Sequence, residues 1–195
     1  MTAEGYVVVL VKTLRKALED GNTIQAVIRG IGVSSDGRGK SLWAPRQEGQ
    51  IAAIERAHAD LLDPARLGYI EAHATSTSVG DATEVNALAR ALKSHIADDV
   101  TIPIGSVKAN IGHTLETAGL AGLVKAILCM KHGTIPPVPG IRELNPAVDW
   151  QATPFVVPTQ KREWLRKDGL PRRAAVNSFG IGGLNAHVVV EEFVK

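Results

Sequence analysis

The sequence predicts an α/β fold on two observations. Runs rich in Val and Ile keep alternating with stretches of helical periodicity, and two of the predicted strands end in histidine-bearing corners that lead into helices. With 195 residues, 45% hydrophobic and 22% charged, the chain is long enough to bury one sizeable core. No internal repeat, low-complexity tract or linker divides it, so residues 1–195 are read as a single structural unit.

Taken in order, residues 6–11 form a continuous β-prone run and 24–33 a second. The turn formers Asp20, Gly21 and Asn22 lie between them, so the chain is predicted to open with sheet. Residues 34–45 are polar and glycine-bearing, a loop. Residues 50–62 carry Ile51, Ile54, Ala57 and Leu61 on one helical face. A strand at 67–72 follows. Asp81 with Glu84 three residues on reads as a capping box, and Val85, Leu88, Ala89, Leu92 and Ile96 continue at helical spacing. Residues 102–107 form another short strand, after which Thr114 opens a long apolar helix. Its Ala118, Gly119, Ala121 and Gly122 would let another backbone approach closely. Six of the ten prolines fall within 136–158, which predicts an extended surface connection with a strand near 155–157. Two β-rich pieces, 174–178 and 186–190, then meet at a loop containing Gly180, Gly182 and Gly183.

Composition excludes several classes. Lys+Arg 22 against Asp+Glu 20 leaves a net charge of +2 with no block of like charge, and aromatics are only 4%, so neither a phosphate-binding surface nor a base-stacking platform for nucleic acid is available. The single cysteine rules out a disulfide framework, and the N-terminus has no secretory pattern, which predicts a reducing cytoplasm. The apolar run 118–130 is shorter than the ~20 residues of a membrane span and carries Lys125 in its middle. The histidines include no i, i+4 pair and Cys129 has no partner, so no metal site is predicted.

Three places could carry chemistry. His73 sits where a predicted strand ends, followed by Ala74, Thr75, Ser76 and Thr77. Strand ends are where α/β proteins place working groups, although short Ser/Thr/Gly loops also serve as plain helix starts. Lys108 to His113 repeats the arrangement, with a histidine just past a strand and a helix beyond. Burial and the nearby lysine would lower both imidazole pKa values and leave neutral rings able to donate hydrogen bonds to an oxyanion or enolate on a thioester carbonyl. The glycine loop with Phe179 and Ile181 could expose backbone N–H groups as an anion pocket. A tight β connection is the equally available reading, and a phosphate cradle lacks both its Lys-Ser/Thr ending and its helix. Cys129, between Leu128 and Met130, reads as a core residue. His58, His95, His132 and His187 read as structural.

The runs HATSTSVGD (73–81), SVKANIGH (106–113) and NSFGIGGLNAH (177–187), in that order, resemble the β-ketoacyl synthases, the condensing enzymes of fatty-acid and polyketide assembly. VKANIGHTLETAGLAGLVKAIL looks closest to the polyketide-synthase branch. The resemblance covers essentially the whole chain and corresponds to the C-terminal half of a ketosynthase. It implies a thiolase-like α/β fold, a mixed sheet covered by helices. It also implies decarboxylative Claisen condensation of acyl and malonyl thioesters on acyl carrier protein, with no bound cofactor and the carrier's phosphopantetheine as substrate arm. Carried over, His73 and His113 are the histidine pair that promotes decarboxylation, Lys108 supports them and Glu84 is its ionic partner. Thr75 and Thr77 contact the phosphopantetheine. Phe179 and Ile181 gate the pocket, the Ile181 N–H helping to form the oxyanion hole. Ala74 stands where the family usually has glycine, and Thr117 where it usually has alanine. The family's nucleophilic cysteine belongs to the N-terminal half, and Cys129 does not match it. The resemblance therefore implies partnership with an N-terminal ketosynthase half, in a homo- or heterodimer, for an acyl-enzyme to form. A non-catalytic truncated or chain-length-factor-like subunit is the alternative. A degradative thiolase ranks below both, because its C-terminal cysteine has no counterpart in the glycine loop.

Overall fold

The computed structural model describes residues 1–38, 44–61, 66–93, 96 and 100–194. A six-stranded sheet runs in the order β1 (Val27–Ser35), β8 (Leu184–Glu191), β7 (Arg173–Phe179), β2 (Leu67–Glu71), β3 (Ile102–Gly105), β5 (Phe155–Val156). β1, β8 and β7 pair antiparallel, whereas β7, β2, β3 and β5 are parallel, so the sheet is mixed as expected. Three parallel strands, β7, β2 and β3, thus end side by side at one edge. A two-stranded ribbon, β4 (Thr134–Ile135) with β6 (Arg162–Glu163), lies outside the sheet.

Both faces of the sheet are covered, because β2 alternates its inward residues between them. Ile70 and Ala72 join Ile54, Val85, Leu88 and Leu92 in the core beneath α2 (Gln47–His58) and α3 (Ser78–Leu92). Tyr69 turns to the other face and packs with Ala126, Met130, Ala174 and Val176 beneath α5 (Ala118–His132). Ile54, Ile70 and Leu88 are fully buried, and each such side chain stabilises the fold by ~1.5–3 kcal/mol. Among the described residues no helix is long and apolar enough to cross a membrane.

Several boundaries differ from the sequence reading. Residues 6–11 are not sheet: the run belongs to no strand, and Tyr6 and Leu10 are exposed. β propensity reports a side chain's fit to a half-buried pleated surface, and no described strand lies alongside to provide one. Asp20, Gly21 and Asn22 do not turn a hairpin. They end a short helix, α1 (Leu14–Glu19), with the Asp20 and Asn22 amides bonding back to Lys16 and Ala17. The capping box at Asp81 and Glu84 is also displaced. α3 starts at Ser78 on Thr77, whose hydroxyl accepts from the Gly80 amide, which puts both carboxylates inside the helix. The long apolar helix starts at Ala118 rather than Thr114, because a one-turn helix, α4 (Lys108–Ile111), and a 3₁₀ turn at Leu115–Thr117 precede it. Residues 39–43 of the expected loop, residue 62 at the end of the helix expected over 50–62, and His95 lie outside the described residues.

α2 lies unusually close to β1. A Cβ on Gly30 would sit 1.9 Å from the Ala57 carbonyl oxygen, and one on Gly32 would sit 1.8 Å from that of Ala53. Gly32→Ala is therefore expected to push α2 off the sheet and cost ~1–3 kcal/mol, read as a lower urea midpoint at unchanged slope. An unchanged midpoint would show that the helix does not need this approach.

Candidate active site

The three sequence motifs converge at the carboxyl ends of β2, β3 and β7. The imidazoles of His73 and His113 stand edge to face with centroids 5.6 Å apart, and the Phe179 ring lies 5.8 Å from His73. A crevice outside adjacent parallel strand ends is where α/β sheets bind ligands.

Two buried carboxylates, one from each side of the sheet, hold these corners. Glu84, reaching in from α3 and 3% exposed, accepts the His73 amide at 2.7 Å, the Ala74 amide at 2.8 Å and the Asn177 side-chain amide at 2.7 Å. Glu71, at the end of β2 and 2% exposed, accepts the Val107 amide at 2.5 Å and the Tyr69 hydroxyl at 2.6 Å. It also pairs with Lys125 of α5 at 2.8 Å. One carboxylate thus anchors the His73 loop and the other the strand end that leads to Lys108 and His113. α5 comes close enough for the ion pair because Gly122 faces Glu71, where a Cβ would lie 2.9 Å from its Cγ. Glu71 and Lys125 are site residues that the sequence reading does not single out. Their signal is a single charge in each of two apolar runs, of opposite sign.

The loop these anchors hold is bent. Ala74 at φ 30° and Ser76 at φ 61° occupy left-handed backbone, a strain of ~1–2 kcal/mol per non-glycine residue that persists while Glu84 fixes the His73 and Ala74 amides on the near side of the bend. Thr75 and Thr77 are exposed on this loop with hydroxyl oxygens 3.4 Å apart. The second corner is fixed locally as well: the Leu115 amide donates to His113 Nδ1 at 3.0 Å, so in the neutral ring the proton sits on Nε2, which becomes a donor.

Electrostatics favour neutral rings. Burial, then Lys108, then His113 pull the His73 imidazole down to about 3. Burial and then Lys108 lower His113. Burial also lowers the Lys108 ammonium, while Glu84, Glu71 and Asp81 act to raise it. Glu84 forms no salt bridge with Lys108. Its two oxygens are taken by amides, and it acts on the lysine only through its field. Burial in turn pushes Glu84 and Asp81 up from the ordinary carboxylate range, with loop amides partly offsetting it.

Of the remaining expected residues, Ile181 is 68% exposed at the tip of the β7–β8 loop, and its amide donates no hydrogen bond among the described residues. Cys129 is buried in α5, and burial pushes its thiol up to about 11, which makes it a poor nucleophile. A cavity of about 650 Å³ opens beside the threonine loop, walled by Ala74, Thr77, Asp81, Val138, Leu144 and Trp150; neither histidine lines it.

The mixed sheet with helices on both faces is the thiolase-like architecture of ketosynthases. The structure superposes on the ketosynthase from module 6 of the bacillaene synthase of Bacillus subtilis 168 with a TM-score of 0.90 at 36% identity, covering 94% of this chain and 33% of that one. Against an oxazolomycin ketosynthase domain of Streptomyces albus the TM-score is 0.89 at 42% identity, covering 94% of this chain and 34% of that one. Residues 25–142 match the family model of the β-ketoacyl synthase C-terminal domain, and 145–195 that of the ketoacyl-synthetase C-terminal extension. The chain belongs to the β-ketoacyl synthase family. It is 46% identical over 189 residues to a highly reducing polyketide synthase of Cordyceps militaris, covering 96% of this chain and 7% of that protein. It is 43% identical over 196 residues to a highly reducing polyketide synthase of Aspergillus terreus, covering 97% of this chain and 8% of that protein. It therefore spans a small fraction of the length of these curated relatives.

A lowered histidine pKa fixes the sign of a stability change. Below the ordinary histidine value near 6.5 the unfolded chain takes up a proton that half-buried His73 refuses down to about 3, so His73 destabilises the fold as pH falls through that window. The raised carboxylates Glu84 and Asp81 act with the opposite sign. The difference between wild type and His73→Ala isolates the histidine: wild-type stability should fall relative to the variant by close to one proton's slope between about pH 6 and pH 4. Parallel urea-midpoint curves would contradict the neutral ring.

Proposed function

We propose that this chain carries the decarboxylating half of a ketosynthase site, acting in a decarboxylative Claisen condensation during polyketide assembly. The observation that supports it most is the pair of imidazoles 5.6 Å apart, both shifted toward the neutral form, with His113 held as an Nε2–H donor. A malonyl thioester placed there loses carbon dioxide when the bond between its α-carbon and its carboxylate breaks. The electron pair moves into the thioester, and the enolate oxygen accepts hydrogen bonds from the two rings. A neutral donor stabilises that oxygen without giving up a proton and quenching the carbanion. The carbanion then attacks an acyl thioester, forming the new carbon–carbon bond and expelling the thiolate that held the acyl group.

That thiolate belongs to a segment outside these 195 residues, since Cys129 is buried and its thiol pushed to about 11. The exposed run with Tyr6, Val8 and Leu10 offers that segment an apolar surface. Thr75 and Thr77, exposed beside His73, present hydroxyls to the phosphopantetheine arm of an acyl carrier protein, and the free Ile181 amide serves the second oxyanion, on the acyl thioester. The Phe179 ring, 5.8 Å from that of His73, screens one side of the imidazole pair. Burial keeps the rings neutral, and the field of Lys108 adds to it. The same buried thiol favours a second reading, a non-catalytic subunit that pairs with an active synthase.

Co-expression with a ketosynthase N-terminal half, followed by carbon dioxide release from malonyl-carrier protein, separates the two. His73→Ala and His113→Ala are each expected to lower the partnered rate by about a hundredfold or more. A partnered rate that neither substitution alters would end the catalytic reading, and an assembly with no decarboxylation at all would favour the non-catalytic one.

A further inference from the structure

We propose that His187 and Asn177 are positioning residues that, with His58 behind them, set the His73 corner through Glu84. The inference rests on the decarboxylating role proposed for His73.

Four polar side chains form an unbroken row beneath α2 and α3. His58 Nε2 lies 3.1 Å from His187 Nε2, His187 Nδ1 lies 2.5 Å from Asn177 Oδ1, and Asn177 Nδ2 lies 2.7 Å from Glu84 Oε1. The same Glu84 oxygen receives the His73 amide at 2.7 Å. All four are buried, with His187 fully so. Apolar side chains would fill this space at lower desolvation cost, so the row is not explained by packing alone.

The register builds it. β7 and β8 pair Asn177 with His187, and on the other side of β8 His187 faces Gly32. Gly32 is the residue whose missing Cβ admits α2, and α2 ends at His58. The placement of α2 therefore bears, through His58, on the side chain that reaches Glu84.

Each hydrogen bond fixes the sense of the next. Asn177 must turn its N–H toward Glu84, because the flipped amide would set a carbonyl oxygen against a carboxylate. Its Oδ1 then faces His187, whose Nδ1 must carry the proton. The neutral His187 ring is left with a lone pair on Nε2, so the Nε2–H of His58 donates. Burial holds His187 neutral down to about 3, so this order persists through the neutral range. The row ends on the carboxylate that holds the His73 and Ala74 amides at the start of the left-handed bend, where a displacement of ~1 Å would spoil the alignment of the His73 ring with the substrate.

Two substitutions divide the ring. An asparagine amide at 187 can reach the Nδ1 position and keep the donor to Asn177, whereas a glutamine amide reaches the Nε2 position and loses it. In the assembled ketosynthase, His187→Gln is expected to lower kcat for malonyl decarboxylation by about tenfold or more at nearly constant KM. His187→Asn should stay within about threefold of wild type. In this chain alone, hydrogen exchange at the His73 and Ala74 amides should accelerate in His187→Gln and remain slow in His187→Asn. Nitrogen NMR of the wild-type rings needs no variant and should show His187 protonated on Nδ1 and His58 on Nε2. The opposite tautomers, or equal kcat and equal amide exchange in the two variants, would overturn the relay. His73→Ala serves as the separate control: if it leaves decarboxylation intact, the functional reading fails, while the amide exchange and the tautomers still decide the relay.

Discussion

Backbone amides held by buried carboxylates organise this molecule. Strands β2, β3 and β7 end together, and a strand end by itself leaves the following loop free to settle in many ways. Glu84 and Glu71 remove that freedom from opposite sides of the sheet, the first by gripping two amides of the His73 loop and the second by gripping the amide that leads to Lys108. A buried carboxylate costs several kcal/mol in lost hydration, so the arrangement is stable only because each oxygen is fully used by charge-assisted hydrogen bonds and, for Glu71, by Lys125. The left-handed backbone at Ala74 and Ser76 is part of the same balance: the bend is strained, and the amides on its near side are fixed.

The consequence is that the protein alone sets the placement of the two rings. His73 is kept uncharged mainly by burial and by Lys108, while the Leu115 amide selects the tautomer of His113. Neutral, oriented N–H donors are suited to negative charge that develops on oxygen during a reaction, because they need not reorganise as the charge appears. The lysine contributes through its field and not through contact. Its own carboxylate neighbours stabilise it, but among the described residues it forms no salt bridge with them.

Much of this was legible in the sequence because the governing rules are local. A β-prone run followed by a histidine, small hydroxyl residues and then helical periodicity defines a strand-to-helix corner, and the His73 corner falls where that pattern puts it, whereas a one-turn helix separates β3 from His113. The glycine loop between two β-rich pieces became the β7–β8 hairpin for the same reason. What escaped depends on distant partners. The run containing Tyr6 and Leu10 has strand-like residues but no neighbouring strand, and propensity cannot supply one. Asp81 and Glu84 have capping-box spacing, yet Thr77 lies nearer the turn and takes the cap, which frees both carboxylates to face the loop. The roles of Glu71, Asn177 and His187 arise only when the sheet register and the approach of α2, α3 and α5 are known. The hint for Glu71 was its lone charge in an apolar run, and for His187 the alternation along β8, which puts Asn185, His187 and Val189 on buried positions.

The chemistry depends on two uncharged imidazoles, His113 in a fixed tautomer, and the ring nitrogen shifts of His73 and His113, followed by NMR from about pH 8 to about pH 4, report that state directly. The expected result is a His73 ring that stays neutral across the range and a His113 ring that, while neutral, carries its proton on Nε2. An imidazolium signal for His73 appearing near the ordinary histidine midpoint, or a neutral His113 protonated on Nδ1, would contradict it.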